Sequence, residues 1–393
     1  MSELLPFYHP AYVAAPHPYW DRLRDEAPVH WNAEHGFWAL TRYDDVVSVL
    51  HDPARFSSAC GPSGGVAGEG QPFLPMIQND PPDHERLRRI LSRAFVPRIV
   101  AEREPRIRAI GAELLQNLRI RAQSGESVDL VEHFASPLPV SVIAEILGIP
   151  PELRERLKLW SDATTVTGAA RVDDAYRPQV MGELYETLAA LIEERRRSPR
   201  DDLFSWLIAA SESDASPLRR DELVGLCLLL WLAGNETTTN LISNVALLLQ
   251  ERKDLCTLLR ERPECARAFV EEALRLETPV NGLFRQVQQD LELRGEKLRE
   301  GDRVFVMFAA ANRDPRHFRD PARFDLGRSP NDHVAFGHGI HFCLGSHLAR
   351  LEARVAFEGL AELLQGATLA PERGARIPVG NLKGWLRLPL EIP

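Results

Sequence analysis

The segment from Leu218 to Gln250 carries a helical pattern for some thirty residues, and its centre is apolar on every side. A surface helix keeps a polar face, so a helix apolar all round must run through a core. Its longest apolar stretch, Leu223 to Gly234, is shorter than the ~20 residues needed to cross a bilayer. One polar string, Ala233-Gly-Asn-Glu-Thr-Thr-Thr239, interrupts it. Polar groups inside an apolar helix cost free energy unless they are paired or functional. Gly234 also removes a side chain where a flat ligand could come close. A helix kinked by internal side-chain hydrogen bonds is the competing explanation.

The flanking pattern is helical too. Apolar residues at three-four spacing predict helices near 83–95, 99–122, 137–147, 151–166, 175–197 and 201–211, then 263–276 and 343–365. Strand signals are few: Phe37–Thr41, Phe284–Leu293, Arg303–Phe308 and the last fifteen residues. Cys60 to Pro75 is rich in Gly and Pro and reads as a long functional loop. Asp-Pro-Ala-Arg-Phe occurs twice, ending at Phe56 and Phe324, too rarely for a repeat architecture. These elements predict a mainly α fold with small segregated β-sheets, and no linker divides residues 1–393, so a single domain is expected.

Composition narrows the function. A net charge of -9 argues against a general nucleic-acid binder. Four of the 47 basic residues are lysines, which reads as the codon bias of a GC-rich bacterial genome. Five irregularly spaced cysteines do not make a disulfide framework. With no signal-peptide pattern in residues 1–10, a cytoplasmic protein without a membrane anchor is expected. The sequence shows no phosphate-binding P-loop and no dinucleotide fingerprint.

The strongest local signal is Phe336-Gly-His-Gly-Ile-His-Phe-Cys-Leu-Gly345. Gly337 and Gly339 permit tight turns that let peptide N–H groups approach a bound sulfur. Cys343 precedes a helical pattern through Leu348, Leu351 and Val355, and a helix N-terminus favours a thiolate. His338, His341 and Cys343 could alternatively ligate zinc or copper. The other four cysteines lack such a context and read as core or surface thiols.

This string resembles the haem-binding loop of cytochromes P450, F-G-x-G-x-H-x-C-x-G, at every fixed position. Further family elements follow in order from about residue 20 to the C-terminus, and the chain looks like the soluble bacterial class. The resemblance implies the single-domain P450 fold and haem b, with Cys343 as the iron ligand and Phe336 and Gly337 in the loop beneath it. It implies that His84, Arg88, Arg285 and His341 bind the haem propionates. His84 and Arg88 lie at i, i+4 on one helix face, with Arg86 and Arg89 off it. Glu236 becomes the acid and Thr237 the alcohol of oxygen activation, with Asn235 where the family often has His. Glu272 and Arg275 form a buried network with Arg323 that braces the loop.

The substrate pocket implied by the resemblance includes Leu232, Ala233, Val280, Asn281 and Leu382. Asn281, polar in an apolar segment, is expected to hydrogen-bond a substrate keto or hydroxyl group, or to be a turn residue. The implied reaction inserts one atom of O2 into a small, largely apolar molecule: terpenoid, steroid-like, polyketide or fatty. NAD(P)H would supply electrons through a reductase and a ferredoxin steered by Arg89, Arg93 and Arg350, and the enzyme would be a monomer. A peroxide-using haem-thiolate enzyme and a non-enzymatic haem or zinc binder are the alternatives.

Overall fold

The computed structural model describes residues 4–64, 74–165 and 172–392. Along the chain the helices are α1 Pro10–Ala14, α2 His17–Glu26, α3 Tyr43–Leu50, α4 Asp83–Ser92, α5 Pro97–Ala101, α6 Glu104–Gln123, α7 Pro137–Leu147 and α8 Arg154–Thr164. There follow α9 Arg177–Arg197, α10 Leu203–Glu212, α11 Arg220–Glu251, α12 Lys253–Glu261, α13 Ala266–Leu276, α14 Phe308–Ala311 and α15 Ser346–Leu363. The strands are β1 Val29–Asn32, β2 Phe37–Leu40, β3 Phe56–Ser57, β4 Val128–Asp129, β5 Leu283–Val287 and β6 Leu291–Leu293. The remainder are β7 Glu296–Leu298, β8 Arg303–Val306, β9 Thr368–Leu369, β10 Ala375–Arg376, β11 Trp385–Arg387 and β12 Pro389–Glu391. The predicted mainly helical class with small separate sheets holds. No helix among the described residues is long and apolar enough to cross a membrane.

The chain gathers into two compact units. The first comprises Met1–Glu85, Ala268–Leu344 and Arg376–Lys383. Its centre is a five-stranded sheet in the order β1-β2-β8-β5-β3, with β2 and β8 parallel and the other pairs antiparallel. Phe37, Ala39, Val304, Phe305 and Val306 are fully buried, so β2 and β8 read as continuous apolar runs rather than alternating ones. Phe7 packs edge-on to Phe37 and Phe305, with centroids 5.1 and 5.0 Å away. Such a sheet holds its side chains rigidly, which matters because β5 carries Arg285.

The second unit comprises Arg86–Arg267, Gly345–Ala375 and Gly384–Pro393. Here α11 is the axle, packed by α7, α8, α9, α12 and α15. Its first turn is acidic, and the Glu222 carboxylate accepts the Arg219 N–H at 2.8 Å, satisfying a helix-end donor. A three-stranded sheet, β4-β12-β9, lies in the same unit.

Several boundaries differ from expectation. The predicted 99–122 helix is two helices, because Pro105 lacks an N–H and starts α6 instead of continuing α5. The predicted 284–293 strand breaks into β5 and β6. The predicted 343–365 helix starts at Ser346, so Cys343 stands three residues ahead of it. Most of the Gly/Pro-rich 60–75 loop lies outside the described residues.

Candidate functional site

The cysteine loop is shaped by its glycines. Gly337 and Gly339 have φ of 68° and 67°, in the left-handed region that disfavours any side chain. At Gly339 a Cβ would stand 2.2 Å from the Leu50 carbonyl oxygen, so the backbones approach too closely for any other residue. The Gly337 N–H donates to the Val334 carbonyl and the Cys343 N–H to the Phe336 carbonyl, each at 2.9 Å. These bonds fold the chain back on itself and fix Cys343 beside Phe336.

The two histidines of the loop have different neighbours. His338 faces His51 at 4.5 Å between ring centroids, while His341 faces His84 at 4.2 Å. The Nε2 of His341 is 3.0 Å from the Ser58 hydroxyl. Among the described residues no group of three His, Cys, Asp or Glu could hold a metal ion, which counts against the zinc alternative. Cys343 is partly exposed, whereas Cys227 and Cys256 are buried and burial raises their thiol pKa values.

Arg285 is the most informative cation. It is 7% exposed, and among the described residues its side chain makes one hydrogen bond, from Nη1 to the neighbouring Phe284 carbonyl at 2.8 Å. No carboxylate among the described residues forms an ion pair with it. Burial lowers its pKa, offset in part by Cys60 and Asp80. Asp80 itself is engaged elsewhere, accepting from the Ser58 N–H and the Ser57 hydroxyl. A buried guanidinium without an anion is costly unless an anionic group arrives. His84, 1% exposed, and His341 lie in the same unit. This donor set fits a cofactor that brings carboxylates. On α4, Arg88 is partly exposed, while Arg86 binds Glu222 and Arg89 binds Asp214 at 2.8 Å, both off the His84–Arg88 face.

The brace differs in one member. Glu272 and Arg275 are fully buried and meet in a two-pronged pair at 2.9 and 2.7 Å. Arg275 also donates to the carbonyls of Asn312, Pro321 and Arg323. Arg323 therefore contributes its main-chain oxygen, while its side chain is exposed. The second guanidinium is that of Arg328, whose Nε lies 3.2 Å from both Glu272 oxygens. The turn at Asp320–Arg323 aims the Arg323 carbonyl inward, so the cation must come from five residues later. The network then reaches the cysteine loop. Asn312 Oδ1 accepts the Val334 N–H at 2.7 Å, and its amide donates to Thr278 at 2.8 Å. Asn312 carried no motif that would have singled it out.

The polar string of α11 marks a window in a buried helix. Leu223–Trp231 and Thr238–Ala246 are buried, but Ala233 is exposed and Leu232, Gly234, Glu236 and Thr237 are partly exposed. Thr237 Oγ1 donates to the Ala233 carbonyl at 3.0 Å, and Thr239 Oγ1 does the same to Asn235. These bonds satisfy the hydroxyls without breaking the helix, which runs unbroken from Arg220 to Glu251. A Cβ at Gly234 would meet only ordinary contact, Ile143 at 3.8 Å, so no protein crowding demands glycine there.

Val280 and Leu382 form an isolated β-bridge. Asn281 is fixed by it: the side-chain amide donates to the Gly380 carbonyl at 3.0 Å and more weakly to Leu382. Its donor is therefore committed, which removes the expected bond to a substrate keto group. Its buried Oδ1 has no partner and could still accept from a hydroxyl.

The family model for cytochrome P450 matches residues 174–379. A putative cytochrome P450 from Bacillus subtilis, YjiB, is 41% identical over 351 residues, covering 88% of this chain and 86% of its own. Cytochrome P450 CYP109Q5 from Chondromyces apiculatus superposes with a TM-score of 0.87 at 36% identity, covering 98% of this chain and 97% of its own. CYP109E1 from Bacillus megaterium, solved in complex with testosterone, gives 0.82 at 36% identity, covering 96% and 98%. Members of this family bind haem b through a cysteine thiolate and act on small molecules with O2. With the cysteine loop, the buried Glu272–Arg275 brace and these likenesses together, the chain belongs to the cytochrome P450 family of haem-thiolate monooxygenases.

Proposed function

We propose that this enzyme inserts one atom of O2 into a small, largely apolar substrate, in the steroid-like, terpenoid, polyketide or fatty range. The observation that carries the reading is Arg285, a buried cation that the described residues leave without a carboxylate. A propionate fits it. His84, His341 and Arg88 would be the further propionate partners, and Cys343 would supply the thiolate that holds the haem iron, with Phe336 and Gly337 in the same loop. When bound, haem supplies the redox chemistry of O2, pushed by the thiolate.

The chain's own contribution is positioning and protons. With its hydrogen given to the Ala233 carbonyl, the Thr237 hydroxyl can accept from a water at the α11 window, and it can donate there by giving that bond up. The Glu236 carboxylate, partly exposed on the same window, can carry protons from solvent. This acid–alcohol pair disfavours the peroxide-using alternative, which has no need of proton delivery to O2. Leu232, Ala233, Val280 and Leu382 offer an apolar lining, and Asn281 Oδ1 offers one acceptor. The testosterone complex of a relative makes hydroxylated steroids sensible first probes.

Electrons are proposed to come from NAD(P)H through a reductase and an acidic ferredoxin in the cytoplasm, to a monomeric enzyme. Arg89 is a poor candidate for steering that partner, because Asp214 offsets its charge. Arg93 is exposed and Arg350 partly so. The deciding experiment is the spectrum of the reduced, CO-bound protein. Wild type should show the strongly red-shifted Soret band of a haem thiolate and Cys343→Ala should lose it, while Cys60→Ala and Cys256→Ala keep it. A red-shifted band in Cys343→Ala would refute the assignment. Titrating the ferric protein with testosterone and a fatty-acid panel, read as a spin-state shift, tests the substrate class.

A further inference from the structure

Asn235 sits inside α11, 1% exposed, where an amide is a poor helix former and an expensive thing to bury. Its Nδ2 donates to the hydroxyl of Ser161 on α8 at 2.6 Å, and Ser161 is 3% exposed. One turn earlier, Trp231 of α11 meets Trp160 of α8 edge-on at 6.3 Å. This buried polar bond and the aromatic contact beside it link the two helices. On its other side α8 is tied to α9, through Trp160 Nε1 to Glu183 at 3.1 Å and Arg177 Nη1 to the Ala163 carbonyl at 3.1 Å. Ser161 and Asp162 also line an open cleft of about 580 Å³ on the side away from this buried bond's Asn235.

We infer that the Asn235–Ser161 hydrogen bond positions Glu236, by fastening α8 to α11 one residue before that carboxylate. This rests on the reading of Glu236 as the proton-carrying acid. Adjacent helical residues are 1.5 Å apart along the axis and about 100° around it, so a shift at Asn235 moves the Glu236 backbone directly. Asn235 and Ser161 are positioning residues and touch no reacting atom. Losing the Ser161 hydroxyl strands a buried amide, which α11 relieves by rotating or by admitting water.

The test is Ser161→Ala in the haem-loaded enzyme, beside Ser161→Thr, which keeps the hydroxyl, and Glu236→Gln. Two readouts are taken: amide hydrogen exchange of residues 154–165, and the solvent isotope effect on O2-dependent turnover of a spin-shifting substrate with NAD(P)H and a reconstituted redox chain. Ser161→Ala should speed exchange in α8, slow turnover by about fivefold and enlarge the isotope effect. Ser161→Thr should return all three towards wild type. Faster exchange with an unchanged isotope effect would reduce the bond to a fastener and overturn the inference, as would no change in either readout or failure of the threonine to restore them. If Glu236→Gln also leaves rate and isotope effect unmoved, the acid assignment itself has failed. If Glu236→Gln responds and Ser161→Ala does not, only the positioning role has.

Discussion

Glu352 offers the sharpest test of the energetics. It lies on α15, 3% exposed, and its Oε2 has no hydrogen-bond partner among the described residues. Burial pushes its carboxyl up to about 8 from an ordinary 4.5, with no charged group to offset the shift. A carboxyl whose folded pKa is raised holds its proton in the native state after the unfolded chain has released it. Stability is therefore unaffected below pH 4.5, falls as pH rises, and levels off above 8. Each unit of the gap is worth about 1.4 kcal/mol. The cost is thus about 1 kcal/mol at pH 5.5 and about 4 kcal/mol at pH 8, a growth of roughly 3 kcal/mol. Glu352→Gln removes the ionisation and keeps the shape. The assay is urea unfolding of the haem-loaded wild type and variant at both pH values, so that all other titrations cancel in the difference. The variant should gain about 3 kcal/mol on wild type between pH 5.5 and 8. A difference constant within about 0.5 kcal/mol would show that Glu352 ionises in the native state and that the burial argument is wrong.

Three further outcomes follow from the site. Thr237→Ala should still consume NAD(P)H with a reconstituted redox chain and a spin-shifting substrate, but release hydrogen peroxide in place of product; full coupling would move the role elsewhere. Glu236→Gln should slow turnover instead, while Thr238→Ala, on a buried face, should change it less. Arg275→Lys should cost about 3–5 kcal/mol, because a point charge cannot reproduce the two-pronged bond and leaves Glu272 buried and underpaired; thermal unfolding and haem content measure it, and an unchanged transition would contradict the brace. Gly339→Ala should displace the loop from the Leu50 carbonyl and shrink the thiolate CO band; a full-intensity band would show that the close approach is dispensable.

What could be read from the sequence, and what could not, divides along a physical line. The cysteine loop was legible because positive φ and close backbone approach leave glycine as the permitted residue, so Gly337 and Gly339 announce their geometry. The α11 core helix was legible because apolarity on all sides has one explanation in a chain without a membrane-length stretch. Glu272 and Arg275 were legible as an i, i+3 pair. The second cation was not, since choosing Arg328 over Arg323 depends on which way a turn aims a carbonyl, and local spacing is silent on that. The surroundings of Asn281 were illegible for the same reason: its amide is taken up by carbonyls about a hundred residues away. Asn312 carries the brace to the loop through one side chain and two distant partners, Val334 and Thr278, and no pattern near position 312 encodes either. The N-terminal strand β1 was missed because its burial comes from pairing with β2 and not from its own alternation. Residues whose role is local strain or helical spacing thus declare themselves, whereas residues whose role is to receive a distant hydrogen bond do not. Asn235 belongs to the second kind. It read as a mild departure from the family pattern, and its meaning lies in a serine seventy-four positions earlier.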